Sequence, residues 1–115
     1  MIVTISTNDF LLVFPEIENL YKQEMVYPIN VSLKIVKLYK YADEVYNYIL
    51  NRMKVLIPNL TKEGYILSDN ERKIYDEILL SMISIDNQEI TKEELVNVDK
   101  CLITPRGLER LLRLF

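Results

Sequence analysis

The chain of 115 residues has no histidine, no tryptophan, one cysteine, two glycines and four prolines. Each scarcity excludes a class of protein. Without imidazole it lacks the only side chain whose unperturbed pKa lies near neutrality, and with it Ser-His-Asp triads and the commonest zinc ligand. Cys101 can close no disulfide within the chain and cannot build a thiolate cluster, which excludes a stapled secreted framework and a zinc ribbon; its expected role is core packing. A Walker loop or a dinucleotide fingerprint needs clustered glycines so that backbone can approach phosphate, and Gly64 and Gly107 stand alone. The longest apolar runs, such as Phe10 to Phe14 and Ile78 to Leu80, fall far short of the ~18 residues of a membrane span. Met1 to Phe14 has no basic leading region and carries Asp9, which argues against a signal peptide, so the expected location is the cytoplasm.

What is present is the composition of a folding chain, 50% hydrophobic and 27% charged, at a length suited to a single domain over residues 1–115. Fourteen basic residues against seventeen acidic ones give a net charge of −3 and no basic field for phosphate, so nucleic acid is not an expected partner. The charge is uneven. Residues 59–100 carry 5 basic against 10 acidic side chains, and the tail beyond them carries 3 against 1.

The order of elements follows from periodicity and caps. Ile2 to Ile5 reads as a strand, and the polar run from Ser6 to Asp9 opens a helix reaching Gln23, with Phe10, Val13, Phe14, Ile17, Leu20 and Tyr21 on one face. Pro15 should kink that helix or move its start. Met25 to Asn30 is a connector around Pro28. From Val31 the residues Ile35, Leu38, Ala42, Val45, Ile49, Met53 and Leu56 recur at three and four, flanked by Leu33, Val36, Tyr39, Tyr46 and Leu50. This is the dominant element, a helix of about 26 residues and roughly 39 Å ended by Pro58.

A loop over 59–64 and a short strand at Tyr65 to Leu67 precede Ser68 and Glu71, a capping box for a helix over Asp69 to Leu80. Met82 to Asp86 alternates as a strand, Asn87 and Gln88 suit a turn, and Ile90 could close a hairpin. Thr91 and Glu94 open a further helix through Val98. Thr104 and Pro105 start a terminal helix with Leu108, Leu111, Leu112 and Phe115 on one side. Its Arg106, Arg110 and Arg113 read as a solvated face, Glu109 standing four before Arg113. The fold class is α+β and mostly helical: one long central helix, a short N-terminal helix and a small antiparallel sheet.

Two clusters are candidates for function. Asp86, Glu89, Glu93 and Glu94 offer oxygen ligands for Mg²⁺ or Ca²⁺, but their spacing fits no calcium loop, and turn, cap and surface roles account for the same residues. No metal and no cofactor is assigned. The other cluster is on the long helix, where Lys37, Tyr41, Glu44, Tyr48 and Arg52 fall on one surface stripe. Tyrosines outside a core make good protein contacts, because a rigid ring covers much area at low entropic cost. The competing reading makes these rings a second layer of the core.

The sequence resembles a family of small proteins of unknown function encoded by tailed phages and prophages of low-GC bacteria. The resemblance is carried by Pro28 and Ile29, the basic and apolar helix from Val31 through Lys34, Lys37 and Lys40, the isoleucines Ile83 and Ile85, and the terminal Ile103, Thr104, Pro105 and Leu108. Gly107 stands where that family has an acidic residue. The resemblance implies a phage origin and no activity. The expectation is a non-catalytic protein that binds a host factor or defence component stoichiometrically in the cytoplasm of the infected cell. The alternatives are a self-associating virion or assembly component, whose heptad-like seam could equally be a homo-oligomer contact, and a carboxylate-dependent metal enzyme.

Overall fold

A computed structural model describes residues 1–23, 27–96 and 105–115. The described elements are β1 (Ile2–Ser6), α1 (Thr7–Lys22), α2 (Ile29–Leu56), α3 (Asp69–Leu80), β2 (Met82–Asp86), α4 (Lys92–Val96) and α5 (Pro105–Leu111). They form an α+β fold. The expected core role of Cys101, the Thr104 cap, the expected continuation of α4 to Val98 and the Leu108 side chain lie outside the described residues.

β1 passes directly into α1 because Ser6 is extended and its hydroxyl accepts from the Asp9 N–H at 3.1 Å, satisfying one of the free donors of the first turn. α1 then runs unbroken through Pro15, which sits on its exposed side and leaves the start where the Ser6 cap puts it. The missing proline N–H frees one carbonyl there, on the side that water reaches.

α1 and α2 pack antiparallel, and their aromatic residues show the register. Phe14 stacks on Tyr46 with centroids 4.2 Å apart, and Tyr21 stacks on Tyr39 at 4.1 Å. A step of seven along α1 is matched by a step of seven backwards along α2. Phe10, Val13, Phe14, Ile17 and Leu20 are buried against Val31, Ile35, Leu38, Ala42, Ile49 and Met53 in one core cluster. The seam of α2 is therefore intramolecular core.

α2 has 28 residues, about 42 Å at 1.5 Å per residue, and nearly spans the 48 Å long axis of the molecule. Its end corrects one expectation: Leu56 is exposed, and Ile57 is buried in its place. Ile57 has left the helix (φ −131°) ahead of Pro58, so helical spacing no longer sets where its side chain points. Leu33, expected on the flank of the seam, is also exposed.

The sheet has two antiparallel strands, with Val3 opposite Ile85 and Ile5 opposite Ile83. Ile5 and Ile85 are buried and Val3 and Ile83 half-buried, whereas Ile2, Thr4, Met82 and Ser84 are exposed, the alternation of a half-buried sheet. Two further expectations fail here. Tyr65 to Leu67 is not a strand; the Tyr65 hydroxyl instead bonds the Glu71 carboxylate, and Glu71 also completes the capping box with Ser68. Ile90 closes no hairpin, because β2 pairs with β1; the turn before Ile90 nevertheless forms. Gln88 and Glu89 adopt φ of 58° and 57°, and Ile90 N–H donates to the Asn87 carbonyl at 3.3 Å, the geometry of a type I′ turn. The chain leaving it buries Ile90 against the core rather than pairing it.

The terminal helix differs in the same way. Leu111 and Leu114 are buried, with Leu112 and Phe115 half-buried, because the chain tightens beyond Leu111 and Leu114 N–H donates to the Leu111 carbonyl at 2.9 Å. Its arginines are not merely a solvated face. Arg113 bonds Asp9 at 2.9 Å and Arg110 approaches Glu16 at 3.7 Å, clipping α5 to the outside of α1.

Candidate functional site

All five stripe residues, Lys37, Tyr41, Glu44, Tyr48 and Arg52, are exposed on α2. Their steps of four, three, four and four keep them on one side of the helix. The tyrosines of α2 divide between the two expected readings. Tyr39 and Tyr46 are half-buried and stack on α1, as a second layer of the core would. Tyr48 is 65% exposed and Tyr41 42% exposed.

The stripe continues at both ends through residues that the sequence does not assign to it. Toward the C-terminus of α2, Tyr48, Asn51, Arg52, Val55 and Leu56 line an open depression, and Val55 is 77% exposed. Val55 lies three residues beyond Arg52, so the helical step that relates the other five could have found it. Toward the sheet, the Tyr41 hydroxyl donates to the Ser84 carbonyl at 3.4 Å, and Tyr41, Ile2, Ser84, Asp86 and Gln88 line a second depression. Nothing in the sequence links Tyr41 to Ser84, since the contact exists only once β2 lies beside α2.

The acidic stretch is dispersed by the fold. Asp86 accepts from the Gln88 N–H at 2.9 Å and from the N-terminal ammonium of Met1 at 3.2 Å. Glu94 accepts from the Thr91 N–H at 3.0 Å and from Lys34 of α2, whose ammonium lies 3.2 Å from each carboxylate oxygen. Among the described residues no three acidic, cysteine or histidine side chains converge as a metal site would require.

Both carboxyls lie below the ordinary range, Asp86 through the Gln88 N–H and then the N-terminus, Glu94 chiefly through the Thr91 N–H and then Lys34. A carboxyl depressed in the folded state adds stability that is complete above its unfolded value and lost as pH falls through the folded one. Glu94→Gln, which keeps the cap acceptor and removes the charge, is expected to make stability less sensitive to acid below about pH 4.5. Urea unfolding of the two proteins at a series of acidic pH values measures this, and equal slopes would show that Glu94 contributes nothing.

No helix among the described residues is long and apolar enough to cross a membrane. The chain matches no protein-family model, and no curated protein or solved structure is significantly similar to it.

Proposed function

We propose that this protein acts without catalysis, by binding another protein stoichiometrically through the outer stripe of α2. The supporting observation is the exposure of Tyr41 and Tyr48 beside Lys37, Glu44 and Arg52, with the apolar Val55 and Leu56 at one end. Rings flanked by charges of both signs suit a protein surface better than phosphate or lipid, because neither sign dominates the stripe. The partner is a protein presenting an apolar pocket for Tyr48 and Val55, rimmed by charges opposite to those of Arg52 and Glu44. The phage origin that the sequence resemblance implies makes a host factor or defence component the class of partner.

Tyr48 is the residue expected to carry most of the affinity. An aromatic anchor at the centre of an interface contributes about 2 kcal/mol or more, so Tyr48→Ala should weaken the complex roughly thirty-fold. The test is retrieval from infected cells by tagged wild-type protein beside Tyr48→Ala and the double variant Tyr48→Ala with Val55→Asp, followed by titration of the purified partner. Melting curves should be unchanged, because both residues face water. Retrieval of nothing above background, or equal affinity for all three proteins, defeats the proposal.

A further inference from the structure

The register of the sheet fixes which backbone groups face inward. Opposed residues pair as Ile2 with Asp86 through Ser6 with Met82, and the same register extends at both ends. Asn87 N–H donates to the Met1 carbonyl at 3.0 Å and Thr7 N–H to the Ser81 carbonyl at 2.8 Å. Hydrogen-bonded and non-bonded pairs alternate in an antiparallel ladder, so the bonded pairs are Val3 with Ile85 and Ile5 with Ile83. The N–H and C=O groups of Ile2 and Thr4 therefore point away from β2, along the outer edge of β1.

The two edges of the sheet are treated differently. On β2 one of the outward groups, the Ser84 carbonyl, is taken by the Tyr41 hydroxyl. On β1, among the described residues, no backbone bond outside the ladder reaches Ile2 or Thr4, and both side chains are exposed, Ile2 at 71%. The strand IVTIS is β-branched over Ile2 to Ile5 and carries no charge or proline, two devices by which edges are ordinarily protected. Among the described residues the sheet has two strands, held by packing on α1 and α2, which leaves the edge of β1 without a neighbouring strand.

We propose that this edge pairs with the same edge of a second copy, antiparallel about a two-fold axis at Val3. Ile2 then opposes the second copy's Thr4, and Thr4 opposes its Ile2, in two bonded pairs that engage every outward N–H and C=O of those residues. Val3 meets Val3 in the close non-bonded pair, on the side facing the cores. A register centred on Thr4 would instead oppose Ile2 with Ser6, whose carbonyl already begins α1, and would leave the Ile2 N–H unbonded at the open end of the strand, whereas the register at Val3 leaves only the Ser6 N–H beside the helix start. The two-fold register satisfies both β1 strands equally and gives a four-stranded sheet. The Ile2 side chain also lines the depression beside Tyr41, but the outward backbone of β1 is on the other margin of the sheet and the pairing does not depend on the reading of the stripe.

The experiment is solution mass from micromolar to millimolar concentration by sedimentation or light scattering. The expected result is a rise from the 13.6 kDa of the chain to twice that mass. Thr4→Pro removes an outward N–H without touching the β1–β2 ladder. By symmetry it deletes two bonds, and about tenfold weaker dimerisation or more is expected. Thr4→Lys places a charge on the edge and keeps the backbone, so it decides the matter if the proline variant does not fold. In the wild type, amide exchange at Ile2 and Thr4 should slow as concentration rises. A monomeric mass throughout, which would leave the edge to some other extended segment, or a dimer unaffected by Thr4→Lys, overturns the proposal.

Discussion

Phe10→Ala is expected to destabilise the protein by about 3–5 kcal/mol, the usual cost of removing a fully buried ring and leaving its cavity. Phe10 is wholly inaccessible to solvent on the buried face of α1, with its ring 5.9 Å from that of Phe14, which itself lies against Tyr46 of α2. Its loss therefore loosens the contact between the two longest helices and not one side chain alone. Domains of this size have total stabilities of about 5–15 kcal/mol, so the variant should melt roughly 10–20 °C lower or fail to fold. Phe10→Leu retains much of the volume and should cost clearly less. Urea denaturation of both variants measures the difference. A loss under about 1 kcal/mol for the alanine variant would show that Phe10 is not at the centre of the core.

The second large effect is expected at Asn87, a buried polar side chain whose two ends hold different parts of the chain. Its amide nitrogen donates to the Leu114 carbonyl at 2.8 Å, and its carbonyl oxygen accepts from the Glu89 N–H at 2.9 Å. Asn87→Ala leaves the Leu114 carbonyl without that donor in a buried site and removes a bond that supports the positive φ of Glu89, a combined loss of about 2–3 kcal/mol. Asn87→Asp separates the two roles. The new carboxylate can still accept from Glu89 but faces the Leu114 carbonyl with a negative oxygen, so at neutral pH it should cost more than alanine. Its proton is held more tightly in the folded state, hence the deficit against wild type should shrink as pH falls, when the O–H can donate to Leu114. Melting temperatures of the three proteins between neutral and acidic pH test this, and a pH-independent deficit would show that the Leu114 contact is not made.

Much of the fold was legible because local signals and tertiary packing agree. α3 and β2 fall where the Ser68 capping box and the alternation of Ile83 and Ile85 place them, and the seam of α2 is buried except at Val45, which is half-buried, and Leu56. The two failed strands share a cause. Tyr65 to Leu67 and Ile90 have strand-favouring residues but no neighbouring strand to pair with, and pairing is a property of distant chain. Leu114 was missed because helical spacing was carried past the point where the helix tightens. The surface stripe was legible for the same reason as the seam, since both are sides of one regular helix. Its continuation to Ser84 was not, because Tyr41 and Ser84 are brought together by folding across 43 positions of sequence.

The pairing of β1 with β2 has a kinetic consequence. Thr4 and Ser84, whose hydroxyl oxygens lie 3.5 Å apart across the two strands, are separated by 80 positions. Closing so long a loop contributes late and slowly compared with the neighbouring contact of α1 with α2. During synthesis at ~5–20 residues per second, β1 waits roughly 4–16 s for its complement to be made. Through that interval an uncharged, β-branched ribbon, Ile2 to Ser6, is bare on both margins and open to pairing with the wrong strand.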